Sequence, residues 1–171
     1  MSVSGTDDVD RTLKKLSELD MKQPVADAIQ TVRAAAVLNC PVDTGELRQS
    51  IYADVEGDAN RAVGTCWTNR AYAPYVEFGT GPKGQANHAG ISPEVTPVYT
   101  QVPWWIHESQ VDRRTAEKYR WFYINTPQGR FYQCTGQPAH PFLYPALHDN
   151  EDKILKNMKA SFQADIGKES K

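Results

Sequence analysis

Apolar positions recur at helical spacing towards both ends of the chain and at strand spacing between them. Val9, Leu13, Leu16 and Leu19 fall three or four residues apart, which predicts a short amphipathic helix over residues 9–19. Pro24 suits the first turn of a second helix, where a missing N–H costs nothing. Val25, Ala28, Ile29, Val32, Ala35, Ala36 and Leu38 then form a wide apolar stripe whose alanines admit a close neighbour. Pro41 ends that helix, because the residue before a proline is driven out of helical geometry. Ile51, Ala53 and Val55 alternate with Tyr52 and Asp54, so residues 51–56 read as a half-buried strand with the first three on one face. Gly57, Asp58, Ala59 and Asn60 make a turn, and residues 61–67 read as the return strand. Residues 69–79 predict a short, strongly apolar helical turn stopped by Gly79.

The pattern then loosens. Residues 80–103 are rich in Gly, Pro, Asn, Ser and Thr with scattered apolar positions, and read as a long loop. Loops of that length are uncommon in compact domains unless they bind something or order on assembly. Trp104, Trp105, Ile106 and His107 precede a charged helical stretch over residues 108–119. Residues 121–125 and 130–134, joined by the turn 126–129, predict the clearest hairpin. Leu143, Leu147, Ile154, Leu155, Met158, Phe162 and Ile166 keep helical spacing. A continuous helix over 142–166 would be about 37 Å long, with Pro145 in its first turns or at a break. The predicted fold class is α+β: a small antiparallel β-sheet packed against a long helix of the N-terminal half and a C-terminal helix. A loop-and-hairpin insertion occupies residues 80–137 of a single domain spanning residues 1–171, with 1–8 and 167–171 frayed.

Composition narrows the function. No run of about 18 apolar residues occurs, so no membrane contact is expected. The first eight residues lack the basic start and apolar core of a signal peptide, so synthesis in the cytosol is expected. A net charge of −2 without a conspicuous basic run argues against non-specific phosphate contacts with nucleic acid. Cys40, Cys66 and Cys134 are odd in number and widely spaced, which fits buried or half-buried thiols better than a disulfide framework or a CxxC metal site. His88, His107, His140 and His148 make no recognisable ligand cluster, and no metal or cofactor is expected. Gly79, Gly81 and Gly84 with Lys83 lack P-loop spacing and lead into a Pro/Asn-rich stretch.

Asp43, Thr44 and Gly45 admit two readings. Asp-Thr-Gly is the tripeptide of aspartic peptidases, which need two such aspartates about 3 Å apart sharing a proton. This chain has one, so it would have to act as a dimer, and an apolar strand should precede it where a helix is predicted. In the structural reading, Asp43 or Thr44 caps a new helix, which is worth about 1 kcal/mol. Gly45 then allows the turn, Leu47 faces the core and Ile51 begins the strand. Trp104, Trp105, Trp121, Tyr123 and Phe131 likewise form either a core-packed hairpin region or a surface for a protein partner.

Three segments carry a family resemblance. Residues 42–51 contain Asp43, Thr44, Gly45, Leu47, Arg48 and Ser50 in the pattern V-D-T-G-x-L-R-x-S-I. Residues 72–81 contain Tyr72, Ala73, Val76, Glu77, Phe78 and Gly79 in the pattern Y-A-x-x-V-E-F-G. Residues 138–147 contain Pro141, Phe142, Leu143, Pro145, Ala146 and Leu147 in the pattern P-A-x-P-F-L-x-P-A-L. In this order they resemble the tail-component, or neck, family of tailed bacteriophages and prophages, the lambdoid gene-product-ten type. The resemblance spans residues from about 20 to 166, with residues 82–137 longer than the short connection typical of the family. It implies a non-enzymatic virion protein at the head–tail junction, found in the host cytoplasm during assembly. Its implied partners are copies of itself in a ring, the head–tail connector and the tail terminator, without direct nucleic-acid contact. The alternatives are a dimeric aspartic peptidase using Asp43, or a regulatory module binding protein through the aromatic surface of residues 104–132.

Overall fold

A computed structural model describes Lys14 and residues 20–168 and divides the chain into two compact units, Met1–Arg70 with Phe142–Lys171, and Ala71–Pro141. The helix expected over residues 9–19 lies, apart from the helical Lys14, outside the described residues, as do residues 1–8 and 169–171 of the expected frayed ends.

The first unit is built on α1 (Lys22–Asn39), which buries Pro24 and, along the expected stripe, Ile29, Val32 and Ala36. Leu38 departs from that stripe and is 78 % exposed, although Ala36 and Cys40 on either side of it are buried. The end comes as Pro41 dictates: Cys40 turns extended while its N–H still donates to the Ala36 carbonyl at 2.9 Å. A single-turn helix, α2 (Glu46–Gln49), leads into β1 (Ile51–Gly57), which pairs antiparallel with β2 (Ala62–Thr68) in a register running from Ile51↔Thr68 to Gly57↔Ala62. The Asp58 carboxylate closes the intervening turn by accepting the N–H groups of Asn60 and Arg61 at 2.9 and 3.0 Å. One face of this hairpin lies on α1. Gly64 permits that approach, since a Cβ there would stand 3.0 Å from Ile29 Cβ. Arg33 of α1 adds a 2.8 Å bond from Nε to the Ile51 carbonyl.

The C-terminal portion supplies the rest of this core. Phe142 and Ala146 are fully buried, as is Ile51. In place of one long helix the chain forms α6 (Tyr144–His148) and α7 (Glu151–Lys168), both packed against α1. Asn150 accounts for the break: its side-chain amide donates to the Ala146 carbonyl at 3.0 Å while its own carbonyl receives the Ile154 N–H at 2.9 Å.

The second unit begins with α3 (Ala73–Phe78) and α4 (Gly81–Ala86), continues through β3 (Trp104–His107), a 3-10 turn (Glu108–Gln110) and α5 (Arg113–Lys118), and closes with β4 (Tyr123–Thr126) and β5 (Gly129–Cys134). Its sheet has the order β3-β5-β4. The fold class is α+β, as the patterning indicates, with two separate small sheets in place of one. Two further differences fall here. Gly81–Ala86 of the expected loop is helical, with Pro82 in the first turn where a helix start tolerates it. Trp104 to His107 form a third strand on the hairpin, which periodicity within four residues cannot reveal.

Candidate contact surfaces

The first sequence box is a corner from helix to strand. Leu47, Ser50 and Ile51 are buried there, and the Ser50 hydroxyl both donates to the Leu47 carbonyl at 2.8 Å and pairs with Thr68 Oγ1 at 2.7 Å. Arg48 Nη2 reaches back to the Cys40 carbonyl at 2.7 Å, satisfying an acceptor at the end of α1. The expected cap is corrected: the N-cap of α2 is Gly45, left-handed at φ 84°, and it makes no side-chain cap bond. Thr44 Oγ1 receives only a long 3.4 Å contact from the Glu46 N–H. A one-turn helix entered from a left-handed residue presents its first N–H groups away from the ideal cap geometry. Asp43 is exposed, and the element before it is α1. The apolar strand that an aspartic peptidase places before its aspartate is a helix here.

The second box and the start of the third are joined in the second unit. The His140 N–H donates to the Val76 carbonyl at 2.8 Å, and the Gln137 amide donates to the Tyr75 carbonyl at 2.8 Å. Thr80 and Gln137 exchange backbone bonds of 2.9 and 3.1 Å. Ala73 and Glu77 are buried while Tyr72 and Tyr75 are exposed. The chains cross so closely that side chains are excluded: a Cβ on Gly136 would fall 1.9 Å from the Thr80 carbonyl oxygen, and one on Gly79 2.7 Å from the Ala139 nitrogen. The glycines that superficially suggest a phosphate loop are therefore crossing points. In the third box Phe142 and Ala146 are core residues and Leu147 is exposed, with Pro141, Leu143 and Pro145 half-buried.

The aromatic candidates divide between the two faces of the three-stranded sheet. Register places Trp104, Tyr123 and Tyr132 on one face. Trp104 packs on Gly81, where a Cβ would lie 2.8 Å from its ring, and Trp121 meets the buried Tyr132 edge-on at 6.5 Å. Trp105 and Phe131 lie on the other face. Trp105 is 43 % exposed and contacts Phe122, itself 63 % exposed, edge-on at 6.2 Å. Ile124 lies opposite Phe131 and completes an open apolar face. Phe122 and Ile124 were absent from the sequence candidates, although their alternation with Tyr123 carries the signal. His107 anchors one edge of this face. Its Nε2 faces the Gln128 carbonyl at 3.0 Å, an acceptor only, so Nε2 bears the proton and Nδ1 accepts the Ser109 N–H at 3.2 Å.

A further open face lies on the β1–β2 hairpin. Tyr52 and Trp67 are both 40 % exposed, stand opposite one another in register, and stack tilted with centroids 5.0 Å apart. The Trp67 indole N–H donates to Asp54. Cys66 points to the opposite side, towards α1, and burial raises its thiol above the ordinary value while nearby Arg33 partly offsets this. Among the described residues no group of three His, Cys, Asp or Glu side chains could hold a metal ion, and no helix is long and apolar enough to cross a membrane.

Most box residues thus serve the scaffold, while the aromatic faces of both hairpins stand open. Residues 7–79 match the family model described as "Bacteriophage HK97-gp10, putative tail-component". Over that stretch the chain is similar to the HK97-gp10-like tail-component family of bacteriophages. The match includes the first box and ends with Gly79 of the second, so it starts before the span of about 20 to 166 expected from the three boxes and stops well short of its end. Comparison with curated proteins and comparison with solved structures each returned no match.

Proposed function

We propose that this tail-component protein acts at the phage head–tail junction, as a neck or tail-completion factor without catalytic activity. It assembles as a homo-oligomeric ring and meets the head–tail connector and the tail terminator through its loops and open sheet faces. It resides in the virion, after assembly in the host cytoplasm. The observation that carries this reading is the tail-component match over residues 7–79 in a chain whose exposed aromatics, Trp105 and Phe122 foremost, sit on a sheet face that nothing in the second unit covers. Contact surfaces of this kind carry most of their energy in a few aromatic and arginine anchors. Residues 80–137 are read as an insertion elaborating the one tail-component domain, and the box residues as its structural frame.

Virion fractionation tests the proposal. The protein is expected in purified particles, and its deletion is expected to leave filled heads and tails unjoined. Absence from particles together with normal joining overturns it. Asp43→Asn is expected to leave particle yield unchanged; peptide cleavage by the wild type that this substitution abolishes would favour the peptidase alternative instead.

A further inference from the structure

Five basic side chains, Arg113, Arg114, Lys118, Arg120 and Arg130, fall within residues 112–130 against only two acidic ones, Asp112 and Glu117. Folding brings Arg130 near Arg113, whose guanidinium also pairs with Glu117 at 2.8 Å, although no run of basic residues is conspicuous in the sequence. Arg130 lies 4.2 Å over the Tyr123 ring and close enough to Arg113 for the two charges to repel. Arg114 and Lys118 stand one turn apart on α5, and Arg120 lies two residues beyond its end, after the C-cap Tyr119. Arg114 and Arg120 are exposed.

Arg120 occupies a costly position. The Trp121 N–H bonds to the Ala116 carbonyl at 3.0 Å and the Arg120 N–H to the Glu117 carbonyl at 3.1 Å, the paired bonds of a Schellman helix end. That motif needs a left-handed residue, normally glycine, and Arg120 holds φ 51° there. An arginine at a glycine position marks a site where the side chain matters more than backbone comfort.

The outer face of the β1–β2 hairpin has the opposite character. Its strands carry no lysine or arginine, and Asp54 and Glu56 are exposed beside the Tyr52–Trp67 pair. Carboxylates flanked by aromatic rings are the preferred surroundings of a guanidinium, which takes bidentate bonds in its plane and stacks on a ring face.

We propose that a second copy of this chain docks its Arg114, Lys118 and Arg120 face on the outer face of the β1–β2 hairpin. Asp54 and Glu56 receive the guanidinium groups, and Tyr52 and Trp67 pack against their planes. Two complementary patches at different places on one molecule make a head-to-tail contact, the type from which rings are built. The inference rests on the proposed ring and names its surfaces.

Sedimentation velocity over a protein concentration series at 0.05 M and 0.5 M salt, as rough limits for screening, reads the association. The wild type is expected to self-associate at low salt and less at high salt. The hairpin variant Asp54→Lys/Glu56→Lys and the helix variant Arg114→Glu/Arg120→Glu are each expected to associate at least about tenfold more weakly. Mixing the two variants restores both contacts, because lysines on one hairpin then meet glutamates on the other helix. Chains that had merely unfolded could not give this recovery. A wild type that stays monomeric at low salt, variants that associate like the wild type, or a mixture that fails to recover each overturns the proposal. So does duplex-DNA binding that the helix variant loses without any salt-sensitive self-association, which assigns the basic face to nucleic acid. A monomeric protein still found in virions refutes these surfaces and leaves the tail-component role standing.

Discussion

Replacing Arg120 by glycine should stabilise the fold while weakening assembly. The backbone at this position is held left-handed by three successive helix-end bonds, Tyr119 N–H to Thr115, Arg120 N–H to Glu117 and Trp121 N–H to Ala116, at 3.0–3.1 Å. A residue with a Cβ pays about 1–2 kcal/mol in that conformation. Glycine removes the cost but returns about 0.4–1 kcal/mol of freedom to the unfolded chain. The net gain is about 0.5–1 kcal/mol, which at this chain length raises Tm by about 1–4 °C. Urea unfolding followed by tryptophan fluorescence measures it, with Arg120→Ala as control. Alanine deletes the same charge and keeps the same strain, so it should leave stability within about 0.5 kcal/mol of the wild type. Both variants should lose the same part of the salt-sensitive association. A glycine variant no more stable than the alanine variant refutes the strain argument. A glycine variant that associates like the wild type refutes the claim that the arginine is kept for contact.

Phe142→Ala should destabilise the first unit by about 3–5 kcal/mol, because a fully buried ring joining α6 to the α1 core leaves a cavity; urea titration measures this. Gly129→Ala should disrupt the β4–β5 turn: φ is 122° and the new Cβ would stand 2.6 Å from His107 Nε2 and 2.8 Å from Glu108 Oε1. A loss of about 1–3 kcal/mol is expected, with faster amide exchange at Phe131 and Tyr132, and unchanged exchange there counts against the packing described. Cys66 predicts an alkaline limit. Its half-buried thiol ionises above the ordinary value of 9.0 in the folded chain, so the stability from the neutral thiol is complete below that value and is lost as pH rises through the folded pKa. Cys66→Ala should flatten that fall in urea titrations above about pH 9; an unchanged slope sinks the assignment.

The framework of the first unit was legible because each of its signals is local. Pro41 ends α1, alternation from Ile51 sets the hairpin face, and Asp58 turns it, all within a few residues. What escaped the sequence depends on partners far along the chain. Trp104 to His107 become a strand only because β5 lies beside them, and Gly136 is required only because Thr80 crosses it. The break before α7 turns on one asparagine bonding back to Ala146, an interaction that hydrophobic spacing does not register. The aromatic candidates could not be sorted between the two sheet faces, since facing depends on the pairing of β3 and β4 with β5.

That sorting separates stability from assembly. The box residues Leu47, Ser50, Ile51, Ala73, Phe142 and Ala146 are buried, so recognising them identifies a scaffold and says little about what it touches. Asp43 illustrates the point: the residue that most suggests chemistry in the tripeptide stands exposed beside a glycine-entered corner, while its neighbours Leu47 and Ile51 hold the core. The proposed contacts fall on residues outside the boxes, on the open faces of the two hairpins and on α5. Substitutions in the boxes should therefore lower stability and particle yield together. Substitutions at Trp105, Phe122, Asp54 or Arg120 should lower yield with stability kept or raised. A surface selected for a partner can hold exposed aromatics and a strained arginine that the isolated fold would be more stable without.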